Sequence, residues 1–133
     1  MESLLPLLLL ISITSVIGLL LRAKKGVIKK GTRVKISEGE FGGKYGSRLT
    51  ILQFSTTFCS ECRTAKAIVN DVVKDFKDIA YLEVDAESNL ELVRRVDIRS
   101  TPTTIFLDSK GFEIARAKGA PKRDQLIKAI KAI

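Results

Sequence analysis

The chain has 133 residues, of which 45% are hydrophobic and 29% charged, the balance of a globular protein with room for one domain and an appendage. It contains no histidine, so a Ser-His-Asp triad, a Cys-His nucleophile pair and a histidine-containing zinc site are excluded. The net charge is +8, but residues 36–133 carry 16 basic and 14 acidic side chains and are nearly neutral. Because the basicity is confined to a short segment, we do not expect nucleic-acid binding.

An uncharged run from Leu4 to Leu21 lies near the start of the chain. As a helix with a rise of about 1.5 Å per residue it would be roughly 27 Å long, close to the ~30 Å hydrocarbon core of a bilayer. A cleavable signal peptide is the alternative. It favours positive charge before the run and small residues at its exit, whereas Glu2 precedes this run and Arg22 follows it. We therefore predict an uncleaved transmembrane anchor over residues 1–21.

Basic residues follow the apolar run directly. Seven lie within 14 positions: Arg22, Lys24, Lys25, Lys29, Lys30, Arg33 and Lys35. The positive-inside rule then predicts a single-pass plasma membrane protein with its N-terminus outside and the rest of the chain in the cytoplasm. We interpret residues 22–47 as a basic and then glycine-rich juxtamembrane linker, with a short strand at residues 33–37.

The periodicity of residues 48–133 predicts one α/β domain. Residues 49–54 form an apolar run typical of a buried strand, and Thr56 and Thr57 are candidate caps for a helix over residues 59–76. Further strands are predicted at residues 79–85, 103–107 and 113–117, and helices at residues 89–96 and 125–133. This order favours a mixed sheet covered by helices on both faces.

The only two cysteines, Cys59 and Cys62, are separated by two residues at the start of the predicted helix. Backbone N–H groups and the helix dipole stabilise a thiolate there, so Cys59 is the candidate nucleophile. Cys62 lies on the buried stripe of the helix and is the candidate resolving thiol. A zinc site shared across a dimer and a purely structural pair stay open, since one pair supplies two of the four ligands of a structural zinc.

The cysteines belong to a larger pattern. It comprises Phe58-Cys59-x-x-Cys62, the Ser-Thr-Pro-Thr sequence at residues 100–103 and Lys-Gly-Ala at residues 118–120. In this order the pattern resembles the thioredoxin family over residues 48–133. The resemblance implies a thioredoxin-like mixed β-sheet flanked by helices, preceded here by one transmembrane helix, and a cis peptide bond before Pro102.

The resemblance also implies a chemistry, namely thiol–disulfide exchange with the disulfides or dithiols of partner proteins. A reductase or another thiol donor would regenerate the dithiol. No bound cofactor is expected, because the electrons reside on the Cys59–Cys62 pair. Four residues are the candidates for substrate binding: Phe58, Ser60, Thr101 and Pro102.

Two positions depart from the residues usual in the family. Glu61 replaces a proline between the cysteines, and its negative charge disfavours a thiolate at Cys59. Gln53 replaces a buried aspartate that assists proton transfer to the resolving cysteine, and an amide cannot titrate. We include both in the candidate catalytic site and expect that either Glu61 or water accepts the proton instead, or that resolution by Cys62 is slow.

The sequence thus predicts a membrane-tethered thiol–disulfide oxidoreductase whose domain faces the cytoplasm. The first alternative is the same chemistry on the extracytoplasmic side. The second is a redox-silent adaptor that binds peptides beside Pro102, which the unusual residues Gln53 and Glu61 motivate.

Overall fold

The computed structural model of the protein describes residues 4–133, so the first three residues of the predicted anchor, 1–3, lie outside the described part. The elements follow in this order: α1 (Leu4–Ala23), β1 (Ile28–Lys30), α2 (Glu38–Phe41), β2 (Leu49–Ser55), α3 (Ser60–Val73), β3 (Ile79–Asp85), α4 (Leu90–Arg95), β4 (Thr103–Asp108), β5 (Glu113–Lys118) and α5 (Arg123–Ala132).

Helix α1 is apolar on all sides as far as Leu21, carries its one charged residue, Arg22, in its last turn, and has no buried residue. The hydroxyl groups of Ser12 and Thr14 donate to the carbonyl oxygens of Leu8 and Leu10, one turn earlier, which satisfies them within the helix itself. By its length and composition α1 is a helix that could cross a membrane, although a signal sequence near the N-terminus has the same properties.

The five strands form one mixed sheet in the order β1-β5-β4-β2-β3. Strand β2 runs parallel to β3 and antiparallel to β4, and β5 pairs antiparallel with both β4 and β1. The mixed sheet predicted from the sequence is therefore confirmed. Strands β1 and β3 are its two edges.

Strand β2 is buried on both faces, because its alternate side chains enter two separate cores. Leu52 and Phe54 pack with residues of α2 and α4 on one face, whereas Leu49 and Ile51 pack with residues of α3 and α5 on the other. The C-terminal end of β2 lies between these two helical layers. The chain leaves the sheet there and reaches Cys59 four residues later.

The linker predicted over residues 22–47 is wrong for most of its length. Strand β1 occupies Ile28–Lys30 and pairs with β5, whereas the predicted strand at residues 33–37 contributes only an isolated bridge from Lys35 to Phe112. Arg33 has a φ of 60°, which interrupts an extended chain before the bridge. Ile36 and Phe41 are both buried in the core, so this part of the chain belongs to the folded domain.

Candidate active site

Cys59 and Cys62 form a disulfide at the start of α3, with 5.2 Å between their Cα atoms. Cys59 is itself the N-cap residue, and the backbone N–H of Cys62 donates to its Sγ at 3.1 Å. The caps predicted at Thr56 and Thr57 are therefore wrong, because a sulfur atom occupies the capping position. The side chain of Cys62 is only 3% exposed, whereas Cys59 is half-buried.

The loop before β4 lies against the Cys59 sulfur. The Thr101–Pro102 peptide bond is cis, and the Thr101 hydroxyl lies 3.9 Å from Cys59 Sγ. Thr56 faces the same hydroxyl, with 3.5 Å between the two Oγ1 atoms. The carbonyl oxygen of Pro102 accepts a hydrogen bond from Gly119 N at 2.8 Å, which joins this loop to the end of β5.

Gln53 is fully buried beneath Cys62 and uses both ends of its amide. Its Nε2 donates to the carbonyl oxygen of Cys62 at 2.9 Å, and its Oε1 accepts from the Tyr81 hydroxyl at 2.8 Å. Burial and the nearby Glu83 carboxylate raise the pKa of Tyr81, so this hydroxyl keeps its proton and continues to donate. Gln53 is thus a neutral bridge between β3 and the first turn of α3.

The Glu61 carboxylate turns toward the loop that follows β5. Its Oε1 lies 3.4 Å from the backbone nitrogen of Ala120, which donates to it. A Cβ built on Gly119 would lie 3.1 Å from the same oxygen, so Glu61 fits closely against this loop.

Two of the predicted substrate-binding residues are exposed beside the cysteines. Phe58 is 98% exposed, and Ser60, the first residue of α3, is also open to solvent. Thr101 is half-buried and Pro102 buried in the loop opposite. The structure therefore brings all four candidates to one face around Cys59.

Two acidic residues that sequence reasoning missed lie beside the sulfurs. Glu83 and Asp85 line a cavity of about 310 Å³ together with Cys59, Cys62 and Arg63. Their position follows from the parallel pairing of β2 with β3, which sets Glu83 opposite residue 53. The register of two strands so far apart in the chain could not be read from the sequence.

The two carboxylates differ in their partners. Hydrogen bonds from the Ser88 hydroxyl and the Glu87 backbone N–H lower the pKa of Asp85, which holds it ionised. Glu83 forms an ion pair with Lys66 of α3 at 2.8 Å. Among residues 4–133, no cluster of three or more Cys, Asp or Glu side chains is placed to hold a metal ion.

Comparison with known sequences points to one family. The thioredoxin family model matches residues 34–132. Thioredoxin H2-1 of Oryza sativa subsp. japonica is 27% identical over 110 residues, covering 83% of this chain and 78% of the relative. Thioredoxin H5 of the same species is 32% identical over 77 residues, which span 58% of this chain and 56% of that relative.

Solved structures give the same result. Thioredoxin-2, described as a component of malaria parasite protein secretion machinery, superposes with a TM-score of 0.59 at 29% identity, covering 65% of this chain and 84% of that one. The Fasciola hepatica thioredoxin superposes with a TM-score of 0.58 at 25% identity over 65% of this chain and 82% of that one.

The family match, the matching fold and the Cys59–Cys62 disulfide together support thiol–disulfide oxidoreductase activity. The match includes residues 34–47, which belong to the predicted linker. This chain belongs to the thioredoxin family.

Proposed function

We propose that this protein is a membrane-tethered oxidoreductase that exchanges its Cys59–Cys62 pair with disulfides or dithiols of partner proteins, with its domain in the cytoplasm. The observation that carries the exchange is the Cys59 sulfur at the N-cap of α3, which accepts the Cys62 N–H and lies beside Thr101. In the reduced protein the same N–H and the helix dipole stabilise a thiolate at this atom.

The reducing direction proceeds in two displacements. The Cys59 thiolate attacks one sulfur of a substrate disulfide, so that a mixed disulfide forms and one substrate thiolate leaves. The Cys62 thiolate then attacks Cys59 Sγ, which closes the Cys59–Cys62 disulfide and releases the second substrate thiolate. Two electrons pass to the substrate, and its thiolates take up two protons. A dithiol donor, such as a reductase, returns two electrons to the protein, and no bound cofactor is part of the proposal.

The buried Cys62 thiol must lose its proton before it can attack. Gln53 cannot accept it, and the 310 Å³ cavity beside both sulfurs has room for several water molecules, each needing about 30 Å³. We assign the proton to water in this cavity and then to Glu83, one of the carboxylates that line it.

The face around Cys59 suits an extended substrate segment. The Thr101 backbone would pair with the segment, while Phe58 and Ser60 contact it from the α3 side. Phe58 in particular offers an almost fully exposed aromatic ring next to the reacting sulfur. Such a ring contributes contact area with little loss of side-chain entropy.

The cytoplasmic orientation rests on α1 and the charges after it. The uncharged run from Leu4 to Leu21, which makes up most of α1, suits a bilayer, and seven basic residues follow that run within 14 positions. Protease added to intact cells should leave the domain uncut, and the intact mass should include residues 1–21. Cleavage from outside would place the domain on the extracytoplasmic side, and a shortened mass would identify α1 as a signal sequence.

Trapping experiments test the exchange itself. With dithiothreitol as the dithiol donor, the wild type should reduce the interchain disulfides of insulin, and Cys59→Ser should abolish this. Cys62→Ser should instead accumulate mixed disulfides with its substrates, because the first displacement occurs and the second cannot. Equal trapping by both variants would contradict the assigned roles, and an inactive wild type would favour a redox-silent adaptor.

A further inference from the structure

The connection between α1 and the sheet is very short. Helix α1 ends at Ala23, and the backbone N–H of Gly26 already donates to the carbonyl oxygen of Lys118, the last residue of β5, at 2.6 Å. Strand β1 continues the pairing, with Ile28 opposite Ala117. Only Lys24 and Lys25 lie between the helix and this first hydrogen bond to the sheet, and they span at most about 10 Å.

This junction lies next to the active site. Gly119 follows Lys118, and a Cβ built on it would be 3.1 Å from Glu61 Oε1 and 3.5 Å from Lys25 Cβ. The same glycine donates to the carbonyl oxygen of Pro102. Gly119 therefore lies against three segments. They are the residues between the two cysteines, the loop that contains Thr101 and Pro102, and the residues that follow α1.

The last turn of α1 also lines cavities shared with the active site. Leu21 and Thr101 line one cavity of about 310 Å³ together with Glu61. A second cavity, of about 610 Å³, lies between Gly18 and Leu21 on the helix and Glu61 with Ala120 on the domain. The loop that contains Thr101 therefore faces the last turn of α1 across one cavity.

Basic side chains surround this junction on the domain and on the helix. Five of them are exposed around the two cavities: Arg22, Lys24, Lys25, Lys118 and Lys122. Each is attracted to an anionic lipid surface. In a bilayer, this attraction and the short connection would together keep the loop that contains Thr101 close to the headgroups.

We propose that the preferred substrate is a disulfide in the juxtamembrane segment of an integral membrane protein, within about 10 Å of the bilayer surface. This inference rests on the proposed exchange activity and holds for either side of the membrane. A segment that emerges from the bilayer beside α1 meets Thr101 and Phe58 directly. A folded soluble protein must approach the same groove past the last turn of α1 and the headgroups.

The test uses the full chain in vesicles of phosphatidylcholine containing a minority of phosphatidylserine. One disulfide-bearing peptide sequence is presented in three forms: directly after a transmembrane segment, after the same segment and a long Gly/Ser spacer, and free in solution. The decisive variant carries a flexible Gly/Ser insertion of about ten residues between Lys25 and Gly26, with a root-mean-square span of roughly 17 Å. The control carries the same insertion before Leu4, on the far side of the span.

Wild type and control should react at least about tenfold faster with the juxtamembrane disulfide than with the spacer form, both being confined to the same membrane. The insertion after Lys25 should bring this ratio close to one and raise the rate with the free peptide. An unchanged ratio in that variant, or no preference in the wild type, would overturn the inference. Exchange with a small aromatic disulfide, measured in parallel, should be equal in all three proteins. Its absence in the wild type would overturn the proposed activity itself.

Discussion

At the scale of single residues, Gln53 connects the tyrosine hydroxyl of β3 to the backbone of Cys62. Gln53→Asp replaces the donor to the Cys62 carbonyl by a buried carboxylate, so we expect a stability loss of about 3 kcal/mol or more. The same carboxylate supplies a proton acceptor below Cys62, so resolution of the mixed disulfide should become faster, by roughly tenfold.

Gln53→Asn is the matched control, because it shortens the side chain but keeps the amide. It should cost about 1–2 kcal/mol and leave the resolution rate unchanged. Denaturant unfolding and single-turnover release of the substrate thiol measure the two effects. Equal resolution rates in the Asp and Asn variants would mean that proton transfer does not depend on position 53.

The second prediction at the scale of single residues concerns Glu83 as the proton acceptor. If it receives the Cys62 proton through the cavity, Glu83→Gln should slow resolution near neutral pH by roughly tenfold and leave the first displacement unchanged. Asp75→Asn is the control, since this exposed carboxylate lies beyond α3 and outside the cavity. The pH profile of the resolution rate separates a role of Glu83 in proton transfer from a structural role. If Glu83 accepts the proton, Glu83→Gln removes one ionisation from that profile, whereas loss of a structural contact leaves the shape of the profile unchanged.

Much of the site could be predicted from local sequence, because its central parts are close together in the chain. Cys59 and Cys62 are placed by one helix start, and Pro102 by a short sequence pattern. Glu83 could not be predicted, because its approach to the sulfurs depends on the register of β2 with β3. The same holds for the contact between Glu61 and Ala120, which are 59 residues apart.

At the scale of elements, β1 shows why the start of the domain was misplaced. Its residues Ile28–Lys30 alternate too briefly to indicate a strand, and two of the three are exposed lysines at an edge of the sheet. The strand forms only because Ile28 meets Ala117, about ninety residues later in the chain. By contrast, the predicted strands β2 to β5 have longer apolar patterns and were located within one or two residues.

The prediction at the scale of elements concerns Gly26, which lies at the junction between α1 and β1. It has a φ of 74°, and an added Cβ would lie 2.1 Å from the carbonyl oxygen of Ala120. Gly26→Ala should therefore destabilise the domain by about 1–3 kcal/mol, as a strained left-handed residue with a backbone clash. Near-ultraviolet circular dichroism of the two tyrosines in detergent micelles follows unfolding of the domain without reporting on α1.

Gly39→Ala provides the comparison. Gly39 lies in helix α2, its φ is not positive, and nothing is within 4 Å of an added Cβ. This substitution should be neutral or stabilise the domain by up to about 1 kcal/mol. Equal effects of the two substitutions would show that the α1–β1 junction adapts freely.

At the scale of the whole molecule, stability should fall in acid. Partners lower the pKa of six carboxyl groups: Glu38, Glu40, Asp78, Asp85, Asp97 and Glu113. Each contributes stability that is fully present above its ordinary pKa of about 4 and is lost as pH falls through the lowered value. The melting temperature should therefore be level near neutral pH and decline below about pH 4.

Glu113 is the carboxylate to change, because it is fully buried. Burial acts to raise its pKa, but hydrogen bonds from Arg116 and from Thr32, at 2.8 and 2.7 Å, outweigh that effect and lower it. Glu113→Gln should cost about 3–5 kcal/mol at neutral pH, because it leaves a nearly buried arginine without its counter-charge. It should also flatten the acid decline, whereas the exposed Glu87→Gln should do neither.

The outer edge of β3 has a consequence for how copies of the protein behave together. An edge strand offers unpaired backbone groups to any other extended chain, and native proteins limit this with charges or covering segments. Here the exposed side chains of Glu83 and Asp85 place two negative charges on the second half of the strand. If α1 anchors the protein as proposed, copies in one membrane share their orientation and lie in one plane, so their β3 edges meet more often than those of freely tumbling molecules. Those two charges therefore oppose edge-to-edge pairing of the copies, because the like charges of two neighbouring β3 strands repel each other.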